Sequence, residues 1–230
     1  MIRQVTFAIL SVFLSFSLIS QEKANKPLLE FDELIVIGNF PVEIEVSDRS
    51  EAQIETFSAD VNLDNLTFTY SGSTLTIRYS GSFVKDIDLD LVLYYPKLIS
   101  SIEAKRGAEI RINNAGTSEN ELNLKVDAGG KLLVKNIVAD SIKARITKGG
   151  SIQIDGETKH FEPSISAGGT IASANLKAYT ITANVTLGGE IICAPVDLLN
   201  ADVRSGGTIS YKGNPVVNQS IKLGGTIEQL

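Results

Sequence analysis

From about residue 120 onward the chain alternates apolar and polar positions in short runs, and pairs of glycines interrupt these runs at near-regular intervals. The pairs begin at residues 129, 149, 168, 188, 206 and 224, at spacings of 20, 19, 20, 18 and 18. Three residues before each pair stand Val126, Ile146, Ile165, Val185, Val203 and Ile221; three after its first glycine stand Leu132, Ile152, Ile171, Ile191, Ile209 and Ile227. All twelve are aliphatic, whereas positions on the opposite phase, among them Lys125, Arg145, Ser164, Asn184 and Asp202, are polar. A period of two places one set on each face of a strand. Each repeat therefore predicts two short strands with the glycine pair as the corner between them.

Such units bury their apolar face only by stacking, each aliphatic residue about 4.8 Å from its counterpart in the next strand. The prediction is an all-β chain folded as a right-handed parallel β-helix. Its rungs hold 18–22 residues, the longest interval running from Gly107 in "KRGAEIRI" to the first glycine pair. A left-handed helix of hexapeptide repeats fits the two 18-residue spacings but not those of 19, 20 and 22. Glycine loops that cradle phosphate need a helix behind them, and none of the six pairs leads into a helical pattern.

Residues 31–100 lack the glycine pairs but keep the alternation, in "VEIEV", "LTFTY", "LTIRY" and "IDLDLVLYY", with turns at Ser71-Gly72 and Ser80-Gly81. Because a solenoid needs its open ends covered, this stretch is expected to be a β-rich cap. It continues into the rungs of 101–230, so that 31–230 form one domain. Residues 1–20 read as a secretory signal peptide, with Arg3, an apolar run from Val5 to Ile19 and the small Ser20. That run is shorter than the roughly 20 apolar residues that cross a bilayer, and 21–30 are read as a linker. Export to the periplasm, the outer-membrane surface or the medium follows, with no membrane span in the mature chain. The single cysteine, Cys193, has no partner for an internal disulfide. A formal net charge of −6 argues against nucleic acid as a partner.

Three stretches carry a family resemblance: "FDELIVIGNFPVEIEV", "LVLYYPKLISSIEAKRGAEIRI" and the recurring "GGTI", "GGSI" and "GGEI". Together they resemble the head GIN domain family of putative autotransporter adhesins, secreted bacterial proteins, over about residues 30–230. The resemblance implies a right-handed β-helix and an adhesive role, and it carries over no catalytic residues.

The candidate chemistry is sparse. Asp86, Asp88 and Asp90 in "DIDLDL" lack the glycine and glutamate that a calcium loop of the EF-hand type needs, and read as the solvated face of a strand. His160, in what reads as an insert between rungs, has no nearby nitrogen or sulfur ligands and reads as a solvated loop residue. Cys193 falls in the interior register beside Val134, Ile154, Ser173 and Tyr211, so it reads as a buried, inert thiol. The outward positions offer Lys125, Asp127, Arg145, Asp202 and Arg204, with Ser164, Ser166, Asn184 and Thr186 between them, and no two acids neighbour each other there. A polysaccharide lyase or hydrolase needs convergent carboxylates or a carboxylate and a base. The expectation is therefore a non-catalytic, adhesin-like binding or structural module, with no catalytic, metal or cofactor residues. A glycan or a cell-surface protein is its expected partner, and the inserts at 159–161 and 175–179 its expected ligand surface. A polysaccharide-active enzyme on the same scaffold is the alternative. End-to-end self-assembly is a third reading, from a last rung with little sequence left to cover it.

Overall fold

The alternation behind the predicted strands continues with little interruption through each repeat. The computed structural model describes residues 22–56, 58, 61–81 and 88–230, so the predicted signal peptide lies outside the described residues. Strands β10 (Gly116–Asp127), β11 (Lys131–Lys148), β12 (Ser151–Ala167), β13 (Thr170–Leu187) and β14 (Glu190–Ser205) each follow most of a rung and pair in parallel with the next. The register stacks Leu132, Ile152, Ile171, Ile191 and Ile209 in one interior column. Val126, Ile146, Ile165, Val185 and Val203 form a second. All ten are at most 2% exposed, as the repeat predicts. The fold is a parallel β-solenoid, and no α-helix occurs among the described residues.

A rung has three sheet faces rather than the two short strands predicted. In β12 these are 151–153, 155–158 and 160–167, each paired with β13, with one slip in register, between Gln153 and Asp155. The corner between the first two faces uses Asn136 with φ 56 on one rung and Gly156 with φ 142 on the next. Asn136, Asp155 and Asn175 stand at this corner on three successive rungs, a small polar mark that a reading keyed to the glycine pairs passes over.

The N-terminal region supplies rungs as well as a cap. Strand β2 (Glu33–Ile37) lies parallel between β6 (Thr74–Tyr79) and β8 (Ser101–Lys105). Strand β3 (Pro41–Val46) likewise lies between β7 (Leu89–Tyr95) and β9 (Glu109–Ile112). The earliest rung of the chain is thus inserted between two that follow it in sequence. Antiparallel strands close this end: β5 (Leu66–Ser71) on β6, β4 (Glu51–Thr56) on β7, and β1 (Glu22–Pro27) on β4. β1 falls in the stretch expected to be a linker. Its sequence has no apolar alternation; ladder pairing holds it, with a Lys23–Glu55 ion pair at 2.7 Å and Lys26 4.5 Å from the centre of the Phe68 ring.

At the far end, β15 (Thr208–Tyr211) and β17 (Thr226–Gln229) extend the first face, and β16 (Val216–Leu223) the third. Ile221, next in the second interior column, is 45% exposed because no later rung among the described residues covers it.

Two contacts make separable predictions. At the corner before β12, Gly149 and Gly150 have φ of 62 and 108. A Cβ on Gly149 meets nothing within 4 Å, but one on Gly150 would lie 2.4 Å from the carbonyl oxygen of Gly130 in the rung below. Gly149→Ala is expected to cost about 1 to 2 kcal/mol from left-handed backbone alone. Gly150→Ala should cost at least about 3 kcal/mol, combining strain with overpacking. Equal losses in chemical denaturation would contradict this stacking. At the capped end, the Tyr95 hydroxyl accepts from the Phe31 N–H at 2.7 Å and donates to the Phe31 carbonyl at 2.8 Å, and the two rings stack 4.2 Å apart. Tyr95→Phe is expected to lower stability by about 1 to 3 kcal/mol by leaving buried backbone groups unpaired.

Candidate functional site

On the third face, residues six and four positions before each glycine pair point outward, and the parallel register turns both sets into columns. The column four before runs Lys125, Arg145, Ser164, Asn184, Asp202 and Ser220. The column six before has Asn123, Lys143 and Glu162 on the earlier rungs and Thr182, Asn200 and Asn218 on the later ones. A groove of about 250 Å³ lies among Thr182, Asn184, Asn200, Asp202, Asn218 and Ser220. A smaller one of about 110 Å³ lies among Lys143, Arg145, Glu162, Ser164 and Asn184. The two share Asn184, so they form one furrow along the solenoid.

The furrow changes character along its length. Its later part is lined mainly by amides and hydroxyls: Asn218 Nδ2 donates to Asn200 Oδ1 at 3.0 Å, and Asp202 is paired with Arg204 at 3.4 Å. Its earlier part is charged. Lys143 bonds Glu121 at 2.8 Å, which raises the lysine and lowers the glutamate from their ordinary pKa values, and Glu162 adds to the pull on Lys143. Lys125 and Arg145, exposed and adjacent in register, make no ion pair among the described residues. Glu103, the neighbour of Lys125 on the preceding rung, is bound to Lys105 at 3.0 Å. Elsewhere some charges pair, Arg111 with Glu109, Lys177 with Glu157 at 3.4 Å and Lys159 with Asp140 at 2.7 Å, while others, Lys135, Lys148, Lys212 and Lys222 among them, make no ion pair among the described residues.

The sequence located only half of this furrow. Lys125, Arg145, Ser164, Asn184 and Asp202 were legible as outward positions, but Lys143, Glu162, Thr182, Asn200 and Asn218 were missed. Carrying the alternation one step further from the glycines would have found them.

The expected ligand inserts are not loops. Residues 159–161 lie within β12 and 175–179 within β13. Phe161 is 1% exposed and stacks between Ile142 and Ile181 in the core, so it can present no surface. His160 is exposed, but on a strand between Ser141 and Thr180. Tyr179 is exposed, and its hydroxyl lies 3.4 Å from Glu157.

Acids do meet at the capped end, which the repeat could not foretell. A groove of about 430 Å³ there is lined by Glu43, Gln53, Glu55, Asp90 and Arg111, with Glu55 directly opposite Asp90 across the antiparallel β4–β7 pair. Asp88 and Asp90 are exposed, as an acidic strand face requires, and Asp86 lies outside the described residues. No group of three or more His, Cys, Asp or Glu among the described residues is placed to hold a metal ion. No helix among them is long and apolar enough to cross a membrane.

Residues 30–215 match the family model described as "Putative auto-transporter adhesin, head GIN domain". A protein from Bacteroides fragilis described as a putative adhesin superposes with a TM-score of 0.79 at 20% identity, over 92% of this chain and 97% of that one. One from Parabacteroides distasonis described as a putative lipid binding protein gives 0.72 at 19% identity, over 91% and 96%. A putative adhesin from Parabacteroides merdae gives 0.67 at 18%, over 91% and 96%. At these identities the likeness establishes the shared solenoid fold. No curated protein matches the chain.

Cys193 sits in the interior column between Ser173 and Tyr211, wholly enclosed, as its register predicted. Burial pushes its thiol up to about 12. Between the ordinary thiol value of about 8.5 and that raised value, the unfolded chain loses a proton that the folded chain keeps. The stability this group contributes is therefore complete below the ordinary value and falls as pH rises through the window. A thiol reagent at about pH 8 is expected to leave the native protein unmodified and to label one thiol per chain after denaturation; rapid labelling of the native protein would contradict the enclosed position.

Proposed function

This chain belongs to the head GIN domain family of putative auto-transporter adhesins, and from that membership we propose that it is an exported, non-catalytic, adhesin-like module that binds its target along the furrow of its third face. The observation that carries the reading is the furrow itself: outward side chains from successive rungs converge on one groove rich in groups that both donate and accept hydrogen bonds. The apolar run of residues 5–19 behind Arg3 supports export.

A polysaccharide-active enzyme is the second reading, and one observation favours it: Glu55 faces Asp90 in the groove at the capped end. Against it, Glu55 is already bound to Lys23 at 2.7 Å. Self-association through the edges of β16 and β17, beside the exposed Ile221 and Leu223, is a further role for the same protein. Light scattering tests it, and a monomer at high concentration excludes it.

The binding role is tested on a panel of immobilised bacterial and host polysaccharides and surface proteins. Retention of the wild-type protein by some member, weakened at least fivefold by Asn200→Ala combined with Asn218→Ala, is the expected result, since each change removes an amide hydrogen bond worth roughly 1 kcal/mol. Retention by none, or retention indifferent to the double substitution, would remove the furrow from the function. Depolymerisation of a panel member, lost on Asp90→Asn, would establish the enzyme instead.

A further inference from the structure

We infer that the furrow takes a linear polysaccharide bearing carboxylate groups, its acid groups held by Lys125 and Arg145 and its hydroxyls by the amides and hydroxyls from Asn184 to Asn218. This rests on the binding role proposed above and names its ligand class. Three observations carry it. First, the furrow crosses successive rungs along the solenoid axis, so its binding groups repeat in a line at about the 4.8 Å strand spacing and suit an extended chain. Second, its later part is lined mainly by Thr182, Asn184, Asn200, Asn218 and Ser220, with no aromatic residue. A protein interface would instead be expected to have an apolar centre anchored by aromatic residues, whereas amide and hydroxyl groups that donate and accept match sugar hydroxyls.

Third, the earlier end of the furrow supplies positive charge. Lys143 is paired with Glu121 and Asp202 with Arg204, while Glu162, on the same groove, makes no ion pair among the described residues. Lys125 and Arg145 remain side by side and without ion pairs among the described residues, with the adjacent Glu103 engaged by Lys105. Arg145 lines the groove itself, and a guanidinium offers a carboxylate two parallel donors. The whole chain carries a net charge of −6, so an acidic polymer would be repelled by the molecule at large and retained only through a local site.

Affinity electrophoresis of the purified protein in gels containing polygalacturonate, its methyl ester or neutral dextran tests this. Polygalacturonate is expected to retard migration. The methyl ester, which keeps the backbone and removes the charge, should bind at least roughly tenfold more weakly, as should Lys125→Ser with Arg145→Ser, since a charged hydrogen bond contributes about 1.5 to 3 kcal/mol. Arg145→Lys should retain part of the affinity. Both positions are exposed, and an unchanged melting temperature verifies that the variants fold. Equal retardation by the ester, or by the double variant, would overturn the inference. So would binding to dextran or to another member of the panel without binding to polygalacturonate, which would leave the broader binding role standing; failure on every polymer and protein would remove both.

Discussion

The solenoid depends on how closely one rung lies on the next at the glycine corners. The carbonyls of Gly130, Gly150, Gly169, Gly189 and Gly207 accept from the backbone N–H of Ser151, Thr170, Glu190, Thr208 and Thr226 in the rung above, at 2.9 to 3.1 Å. From Gly150 onward, a Cβ on the second glycine of each pair would stand 2.4 to 3.0 Å from the carbonyl below. The two members of the pair are glycine for different reasons: the first takes a left-handed backbone angle with open space around it, and the second adds the contact with the rung below to a positive φ of its own. That contact also fixes the register in which every interior aliphatic meets its counterpart.

Once the register is fixed inside, it is fixed outside too. The pairing that sets Ile165 on Ile146 also sets Ser164 on Arg145, and so on up the face. The interior column must be aliphatic for the rung to be buried at all, but the outward columns carry no such demand. Their composition is free to answer to a ligand. The other faces carry a mixture of paired charges, such as Lys177 with Glu157, and unpaired ones; what sets the third face apart is that amides predominate toward one end and two cations stand side by side at the other.

The repeat was legible because one physical requirement recurs at one spacing. Solenoid, interior columns, glycine corner and buried Cys193 all followed from it. What escaped had a weaker mark or none. The corner between the first and second faces carries only Asn136, Asp155 and Asn175 and no glycine pair, so a third face went unseen and His160 and Phe161 were placed in a loop that is a strand. The insertion of β2–β3 between later rungs, and the antiparallel pairing that sets Glu55 against Asp90, depend on contacts between segments far apart in the chain. Alternation identifies such strands but says nothing of their neighbours. The furrow was half legible for a related reason: its nearer column lies within the phase set by the glycines, while the farther one lies beyond the residues compared.

The same geometry suits the proposed binding role better than it suits chemistry on this face. A catalytic site gains most when water is excluded and the reacting groups are fixed against one another. Strands β12 and β13 are joined by a two-residue glycine corner, as are β13 and β14, and among the described residues no long segment between these strands rises beside the furrow. The furrow's acids, Glu162 and Asp202, stand on different rungs and columns, separated by Ser164, Thr182 and Asn184. An open row of equivalent hydrogen-bonding groups loses little by staying wet, because each contact is weak and water-mediated bonds serve almost as well as direct ones. Its strength comes from the number of rungs engaged at once. A solenoid lengthens that row by adding rungs, each built on the same glycine contact, and so the constraint that holds the fold together also sets the reach of the proposed binding surface.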